Sequence, residues 1–171
     1  TLESASPRRL PAPLAFSALG PQVAAGVEED FARTGTLVVT NASPHRMLPG
    51  VPLLVPEVNP DALGLLEGQG FPPGGGIVAN PNCTTQGVAL ALAPLHAAFG
   101  VRSIHATSLQ ALSGAGDGGV PASLAVDNVI PWIEGEEEKL AAELPKILGG
   151  PVGVSAHCTR VPVTDGHLVT L

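Results

Sequence analysis

The chain has 171 residues, a formal net charge of −7 and only eight lysine and arginine residues. Because phosphate contacts need clustered basic side chains, this balance argues against nucleic acid as a partner. Apolar residues make up 44% of the chain, yet no apolar run approaches the roughly 20 residues of a membrane-spanning helix. Two cysteines cannot form a disulfide framework and indicate a reducing compartment. The composition therefore predicts a cytoplasmic protein with neither a membrane nor a nucleic-acid partner.

The first half of the chain is predicted to alternate strands with one helix. Residues 14–18 and 36–40 have the composition of short buried strands. Residues 21–34 begin with proline and then carry apolar residues at four-residue spacing, which favours a helix. A strand, a helix and a strand with short links are typical of a βαβ unit with a parallel sheet. Residues 41–76 are predicted to be mostly loop, and residues 77–79 to form another strand.

The second half is predicted to begin with a long helix. Residues 84–99 are apolar and alanine-rich, and Pro94 inside them should kink the helix or break it in two. The remaining predicted elements are a strand, a glycine-rich loop, a charged helix containing a proline, and a long strand, at residues 101–109, 113–121, 136–148 and 152–163.

A change of composition near Asn80 divides the chain into two predicted domains. Residues 1–80 have the pattern expected at the end of a Rossmann-like, doubly wound nucleotide-binding domain. Residues 81–171 have longer helices and strands, as at the start of an α+β domain. The predicted fold class is therefore α/β.

Cys83 is the first candidate for chemistry. It follows a predicted strand and precedes a predicted helix, where the positive end of the helix dipole stabilises a nucleophilic thiolate. A free cysteine is more often buried and inert, so its position alone favours the inert interpretation over the nucleophile. Cys158 lies in a strand beside His157, and neighbouring strand residues point to opposite faces, so core packing explains it better than a shared metal. No spacing typical of a zinc site is present, and no metal is predicted.

Four further features have two interpretations each. Residues 114–119 fit G-x-G-x-x-G, but no helix follows at once, so the dinucleotide fingerprint is rejected and a flexible ligand-facing loop remains. On composition alone, Glu136 and Lys139 are charged residues in the solvated first turn of a helix. Arg160 lies in an apolar strand and needs an anion there. His167 is either a general base or a surface histidine after a turn.

Taken together, these motifs resemble those of aspartate-β-semialdehyde dehydrogenases, in the branch found in archaea and fungi. They occur in that family's order and cover nearly the whole chain. The matching stretches are Asn41-Ala-Ser-Pro-His-Arg46-Met, Val51-Pro-Leu-Leu-Val-Pro-Glu-Val-Asn59-Pro, Asn80-Pro-Asn-Cys83-Thr-Thr, Gln110-Ala-Leu-Ser-Gly-Ala-Gly116, Asp127-Asn-Val-Ile-Pro131, Glu136-Glu-Glu-Lys139, Lys146-Ile-Leu-Gly149 and Arg160-Val-Pro-Val-Thr-Asp-Gly-His167.

The resemblance implies an NADPH-dependent oxidoreductase that converts L-aspartyl 4-phosphate into L-aspartate 4-semialdehyde and phosphate. This reaction belongs to amino-acid biosynthesis, on the way to diaminopimelate, lysine, methionine and threonine. The resemblance also implies NADP as cofactor, no metal, a small-molecule substrate, phosphate as a ligand, and a homo-oligomeric parent, either a dimer or a tetramer. Residues 1–80 would be the end of the NADP-binding domain, and residues 81–171 the start of a catalytic and dimerisation domain.

The resemblance assigns a role to each candidate residue. Cys83 would attack the acyl phosphate and form a thioester, with His167 as general acid–base. Gln110 would orient the acyl group, Arg160 would bind the substrate carboxylate, and Glu136 would bind the substrate ammonium. The phosphate ligands would be Arg46 and Lys139. The cofactor contacts would be Ser113, Gly114, Ala115, Gly116, Asp117 and Ser17.

Two departures from the family pattern shape these expectations. Family members are longer, begin with a G-x-x-G-x-x-G turn that binds the cofactor pyrophosphate, and continue past the position of His167. The resemblance therefore implies a central fragment with little or no activity on its own. The alternatives are a relative of glyceraldehyde-3-phosphate dehydrogenase, which expects histidine at the position of Gln110, an N-acetyl-glutamyl-phosphate reductase, and an inactive fragment that only self-associates through an exposed sheet edge.

Overall fold

The computed structural model describes residues 5–116 and 118–171. It divides the chain into two units, one ending at Asn82 and one running from Cys83 to Leu171. Each unit has its own three-stranded sheet with helices against it, which confirms the predicted α/β class. The boundary that the sequence places after residue 80, taken as a boundary between functional domains, stays a prediction.

The first unit is a parallel βαβ arrangement extended by a third strand. Its strand order is β1-β2-β3, and both pairs are parallel. Helix α1 follows β1 and begins with a proline, whose fixed φ suits the first helical position. The predicted strands and helix are therefore present, with ends shifted by one or two residues. Their bounds are Leu14–Ser17 (β1), Pro21–Ala32 (α1), Leu37–Thr40 (β2) and Gly76–Ala79 (β3).

The core of the first unit lies between α1 and the sheet. Helix α1 buries Ala24, Glu28 and Phe31 at spacings of three and four residues, which places them on one face. Strand β3 is buried along its whole length, as expected for the parallel strand of a covered sheet. Of these three buried residues, only Glu28 has an ionisable side chain.

A 3₁₀ helix at Pro60–Gln69 lies in the stretch that the sequence predicted as mostly loop. Its last residue, Gln69, donates from Nε2 to the carbonyl of Ile77 and accepts from the Ile77 amide, both at 2.8 Å. The Gln69 side chain thus completes hydrogen bonds at the edge of β3. The prediction missed this helix because a side-chain contact to a strand outside the helix anchors it, and the apolar periodicity of the segment gives no sign of that contact.

The second unit has a mixed sheet of order β5-β4-β6. Strand β4 pairs in parallel with β5 and antiparallel with β6. Helix α4 has the predicted bounds, whereas α3 and β6 were not predicted. The bounds are Cys83–Phe99 (α2), Ser103–Gln110 (β4), Ala122–Ala125 (α3), Glu136–Leu148 (α4), Gly153–Arg160 (β5) and His167–Thr170 (β6), with a 3₁₀ turn at Leu112–Ala115.

One prediction about a proline and one about the end of a strand need correction. Helix α2 is continuous through Pro94, so of the two predicted effects of this proline the break into two helices is wrong, while the kink stays a prediction. Pro94 is exposed, and the carbonyl that loses its partner one turn earlier can bond to water. Strand β5 ends at Arg160 instead of continuing to residue 163, because the chain then makes a tight turn in which the Val163 amide bonds to the Val161 carbonyl at 2.8 Å.

The core of the second unit is formed by α4 packed against α2 and β5. Helix α4 buries Leu140, Leu144 and Ile147 on one face, the i, i+4, i+7 pattern of an amphipathic helix. Within the described residues, no helix is both long and apolar enough to cross a membrane.

Candidate active site

The register of the second sheet brings three predicted site residues side by side. Strand β4 ends at Gln110, which is paired with Arg160 on β5 and with His167 on β6. Because β5 ends and β6 begins at this level, the three side chains come from the same end of the sheet. Arg160 and His167 follow Gln110 by 50 and 57 positions in the sequence, yet both are its direct neighbours in the fold.

Cys83 is the first residue of α2 and is exposed. Its Sγ lies 3.6 Å from Nε2 of His167, within the range of a hydrogen bond to sulfur. The other ring nitrogen of His167, Nδ1, accepts a hydrogen bond from the Ala111 amide at 3.1 Å. A cysteine at hydrogen-bond distance from an imidazole that a third group orients is the arrangement used in nucleophilic catalysis.

Gln110 is 1% exposed and is surrounded by polar groups. Its Nε2 lies 3.1 Å from Thr84 Oγ1, 3.2 Å from Ser108 Oγ and 3.4 Å from Glu136 Oε2. A primary amide has two N–H donors, so three acceptors compete for them. The amide is therefore fixed in orientation, with its Oε1 facing the guanidinium of Arg160 at 3.5 Å.

Arg160 is 6% exposed, although it ends a strand. Its Nη1 donates to the Ala111 carbonyl at 2.7 Å and faces Gln110 Oε1. Both of these acceptors are neutral, so they satisfy donors of the guanidinium without cancelling its charge. The sequence predicted that a buried arginine needs an anion, and this geometry leaves Arg160 able to bind one.

Glu136 and Lys139 lie on the first turn of α4. Their carboxylate and ammonium groups are 2.7 Å apart, and Lys139 is the more exposed of the two. Acidic and basic side chains three residues apart on a helix are neighbours on its surface. The pair therefore presents both charges next to Gln110, through the second carboxylate oxygen of Glu136.

The glycine-rich loop begins with the turn at Leu112–Ala115. The amides of Leu112 and Ser113 bond to the carbonyls of Val163 and Thr164 at 2.8 and 3.1 Å. A Cβ at Gly114 would lie 2.7 Å from Nη1 of Arg160 and 2.9 Å from Cε1 of His167, which only glycine avoids. Of the expected cofactor contacts in this loop, Ser113, Gly114, Ala115 and Gly116 are described, and Asp117 lies outside the described residues.

The second cysteine, Cys158, is 1% exposed on β5, while its neighbour His157 is exposed. Burial raises the pKa of the Cys158 thiol. A hydrogen bond with the Ser108 side chain lowers this pKa, and the carboxylates of residues 136–138 raise it further. A buried neutral thiol fits the predicted core role. Across residues 5–116 and 118–171, no three metal-ligating side chains converge.

Arg46 and Ser17 belong to the first unit. Arg46 is 9% exposed and donates from Nη2 to the Asn41 carbonyl at 2.7 Å. Ser17 ends β1 and donates to Oε1 of Glu28 at 2.5 Å, and Thr40 Oγ1 donates to the same oxygen at 2.6 Å. The sequence reasoning missed Glu28, although an acidic residue at a buried position of the α1 pattern was a usable signal.

The carboxyl end of β1 also opens onto a cavity of about 340 Å³. Open α/β sheets bind nucleotides outside the carboxyl ends of their strands, and ligand clefts start near 300 Å³. The Ser17 hydroxyl gives its proton to Glu28, so towards a ligand it can act only as an acceptor. These residues fit a nucleotide cofactor. The cavity is lined chiefly by apolar residues, among them Ala12, Ala15, Leu19, Val27, Phe31 and Val38.

Comparison with known proteins identifies the family of the chain. Residues 3–66 match the family model "Semialdehyde dehydrogenase, NAD binding domain", and residues 92–171 match "Semialdehyde dehydrogenase, dimerisation domain". Together the two models span most of the chain. The chain therefore belongs to the semialdehyde dehydrogenase family, with an NAD(P)-binding part followed by a dimerisation part.

Within this family, the chain is similar to aspartate-semialdehyde dehydrogenases. It is 48% identical to that of Archaeoglobus fulgidus over 94% of this chain and 50% of the relative, and 43% identical to that of Cryptococcus neoformans over 89% and 47%. A crystal structure of the Candida albicans enzyme with NADP matches with a TM-score of 0.87 and 35% identity, over 98% of this chain and 52% of that one. The Vibrio cholerae enzyme II complexed with ASA matches with a TM-score of 0.79 and 29% identity, over 91% and 53%. The chain spans about half the length of the curated relatives it matches.

Proposed function

We propose that this chain carries the reacting groups for the NADPH-dependent reduction of L-aspartyl 4-phosphate to L-aspartate 4-semialdehyde and phosphate. The observation that carries the proposal is the 3.6 Å contact between Cys83 Sγ and His167 Nε2, beside the buried guanidinium of Arg160. The names of the relatives support the choice of substrate.

The first step assigned to the chain is acylation of Cys83. The thiolate sulfur attacks the acyl carbon of the substrate, the C–S bond forms, and the C–O bond to phosphate breaks with both electrons leaving on phosphate. The exposed sulfur at the start of α2 is open to a small molecule. A thiolate is the reactive form, and a thioester is a good acceptor for the reduction that follows.

The substrate is oriented by three side chains. Arg160 binds the α-carboxylate, since a guanidinium offers paired donors that match a carboxylate. Glu136 binds the α-ammonium, and Gln110 holds the acyl group in line with the sulfur. The polar contacts that fix Gln110 support this role, because a positioned amide costs no reorganisation when the substrate binds.

Phosphate binding is assigned to Arg46 in the first unit and to Lys139 in the second. Both side chains are cationic, and phosphate is the anionic leaving group of the reaction. Binding it lowers the cost of breaking the acyl–phosphate bond. These two assignments rest on the family resemblance together with the charge and position of each side chain within its own unit.

The cofactor is assigned to Ser17 and to the loop from Ser113 to Gly116, with Asp117 as a further contact. When bound, NADPH supplies the hydride that reduces the thioester carbon. His167 serves the resulting oxyanion from Nε2 as general acid–base, and the intermediate then collapses by breaking the C–S bond. The aldehyde leaves, and Cys83 returns as a thiolate.

The match to a dimerisation domain supports a second copy of the chain as partner. Leu109 on β4 and Leu168 on β6 are exposed on the second sheet, and such apolar side chains suit a contact between copies. Light scattering on the purified chain, read against concentration, distinguishes a monomer from a dimer or tetramer.

The sharpest test of the proposed chemistry uses Cys83 itself. Incubation with L-aspartyl 4-phosphate should add one aspartyl group to the chain, visible by intact mass spectrometry and located on Cys83 by peptide mapping. One phosphate should be released for each adduct. Cys83→Ser should abolish the thioester, while the matched variant Cys158→Ser should retain it.

Two outcomes decide against the proposal. An adduct of equal amount in Cys83→Ser would remove Cys83 from the chemistry. Acylation by 1,3-bisphosphoglycerate but not by L-aspartyl 4-phosphate would favour the glyceraldehyde-3-phosphate dehydrogenase alternative. Adding NADPH to the acylated chain then tests the second half-reaction, through loss of the adduct and appearance of the semialdehyde.

A further inference from the structure

Ala111 connects two of the proposed site residues through its backbone. It is fully buried, with 0% exposure. Its N–H donates to Nδ1 of His167 at 3.1 Å, and its C=O accepts from Nη1 of Arg160 at 2.7 Å. One peptide residue therefore determines where both the imidazole and the guanidinium lie.

The hydrogen bond from Ala111 also determines which ring nitrogen of His167 carries a proton. A backbone N–H can only donate, so Nδ1 must offer its lone pair and is unprotonated. In a neutral imidazole the single proton is then on Nε2. Nε2 is the atom that faces Cys83 Sγ at 3.6 Å, so the ring is a donor towards the sulfur and the sulfur is the acceptor.

We propose that Ala111 is a positioning residue that locks His167 in the Nε2–H tautomer. His167 then stabilises negative charge as a neutral hydrogen-bond donor and keeps its proton through the cycle. The inference rests on the proposed function and replaces one part of it, because a His167 that keeps its proton acts as a hydrogen-bond donor instead of a general acid–base. Triosephosphate isomerase likewise uses a neutral imidazole, and not an imidazolium, to polarise a carbonyl oxygen.

The reaction balances without a proton passing through His167. The Cys83 thiol loses its proton to water, since the sulfur is exposed. The thiolate displaces phosphate, and hydride addition gives an oxyanion at the former carbonyl. The oxyanion re-forms the C=O bond as the C–S bond breaks, so the sulfur leaves as the thiolate that entered. Throughout, Nε2–H only donates to the oxyanion, as in an oxyanion hole.

The surrounding turn clamps the ring in this orientation. Amides of Leu112 and Ser113 tie the turn to the segment that leads into β6 and His167. On the other side, Gly114 approaches so closely that a Cβ there would lie 2.9 Å from Cε1 and 3.0 Å from Nε2 of His167. The same Cβ would lie 2.7 Å from Nη1 of Arg160. A contact under 3.0 Å cannot persist, so a side chain at this position has to displace both the guanidinium and the imidazole.

The test reads the tautomer directly. The chain is labelled with ¹⁵N-histidine, and long-range ¹H–¹⁵N correlation spectra are recorded at about pH 8, where an ordinary imidazole is neutral. His167→Asn identifies the His167 signals by their loss. The expected result is an unprotonated-type ¹⁵N shift for Nδ1 and a protonated-type shift for Nε2.

A pair of glycine variants adds the positional test. Gly114→Ala should move both His167 ring signals towards the averaged shifts of a free imidazole. Gly118→Ala is the matched control, since an added Cβ there meets nothing within 4 Å, and it should leave the signals unchanged. Circular dichroism verifies that both variants remain folded. If either variant does not fold, the spectrum of the unsubstituted chain still reports the tautomer of His167.

The result that overturns the inference is a proton on Nδ1 in the unsubstituted chain, or averaged shifts for both nitrogens there. Cys83 acylation by L-aspartyl 4-phosphate separates this failure from that of the proposed function. Acylation with a protonated Nδ1 would remove only the tautomer lock, whereas a locked Nε2–H tautomer without acylation would remove the proposed reaction.

Discussion

Glu136 and Lys139 form an ion pair of 2.7 Å at the start of α4, while the second carboxylate oxygen of Glu136 lies 3.4 Å from the Gln110 amide nitrogen. The pair compensates both charges in the absence of a substrate. A substrate with an ammonium and a phosphate can replace both partners at once, whereas a ligand with only one of these groups leaves a charge uncompensated. Under the proposed function, we therefore expect this pair to favour a zwitterionic phosphorylated substrate over a ligand with only one of the two charges.

The first prediction follows from this pair. Glu136→Gln removes the charge that we propose binds the substrate ammonium, and a hydrogen bond to a charged group is worth about 1.5–3 kcal/mol. Cys83 acylation at subsaturating L-aspartyl 4-phosphate should slow by about 10–150-fold, since 1.4 kcal/mol corresponds to a factor of ten. The measurement is the initial rate of adduct formation by mass spectrometry. Glu138→Gln, an exposed residue on the same turn, should react at the unsubstituted rate, and an equal loss in both variants would contradict the assignment.

Arg160 gives the second prediction. Its guanidinium bonds to the Ala111 carbonyl and still has donors for a carboxylate. Lysine at this position keeps the charge but loses the planar fork, so Arg160→Lys should raise the concentration of substrate needed for half-maximal acylation by about tenfold or more. Arg102→Lys, on an exposed residue of the same unit, is the control. An unchanged concentration dependence in Arg160→Lys would show that Arg160 does not bind the substrate.

The elements that the sequence predicted well are those with local signals. Helix α4 has its predicted bounds, because glycines flank it and a clean apolar spacing runs through it. The strands of the first unit were predicted because β-branched runs separated by short links have few other solutions. The 3₁₀ helix at Pro60–Gln69 was missed, since its anchor is the side-chain bond from Gln69 to Ile77. Whether Pro94 breaks α2 depends on which face the proline occupies, and the sequence alone does not give that face.

The site residues also fall into those that the sequence predicted and those that it did not. Side chains with strong chemistry, such as Cys83 and His167, were found from the sequence, and the structure places them 3.6 Å apart. Ala111 was missed because its contribution is a backbone N–H and C=O, which every residue except proline has. Glu28 was missed as well, although its position in the apolar spacing of α1 predicts burial. Its partners come from β1, β2 and a loop, and a pattern in one helix does not reveal them.

The third prediction compares the two cysteines. Burial is the main cause that raises the pKa of the Cys158 thiol, and nearby carboxylates add to it. A raised pKa means that the neutral thiol persists to higher pH, so its reactive thiolate is scarce near neutrality. Iodoacetamide at about pH 8 should label Cys83 at least about tenfold faster than Cys158, because Cys83 is exposed. Peptide mapping gives both rates from one sample, and denaturant should make them similar. Equal rates in the native chain would contradict the buried placement of Cys158.

The fourth prediction concerns the stability of the first unit. The Glu28 carboxylate is 1% exposed and accepts hydrogen bonds from Ser17 and Thr40, and its second oxygen lies 3.1 Å from Nε2 of His45. These partners come from β1, β2 and the loop after β2, so Glu28 holds three segments together. Glu28→Gln keeps the shape but replaces an acceptor-only group with one that places donors against the hydroxyls.

A hydrogen bond to a charged group contributes about 1.5–3 kcal/mol, and Glu28 accepts two of them from Ser17 and Thr40, so Glu28→Gln should lower the free energy of unfolding of this unit by roughly 3 kcal/mol. Hydrogen exchange of β2 amides, read by mass spectrometry, reports on the first unit alone. Glu29→Gln is the matched control, because Glu29 pairs with Arg33 at an exposed surface, and such pairs contribute about 0–1 kcal/mol. Protection of β2 that is the same in both variants would mean that the Glu28 cluster does not stabilise the unit. Loss of protection only in Glu28→Gln would identify this carboxylate as the group that ties the carboxyl ends of β1 and β2 to α1.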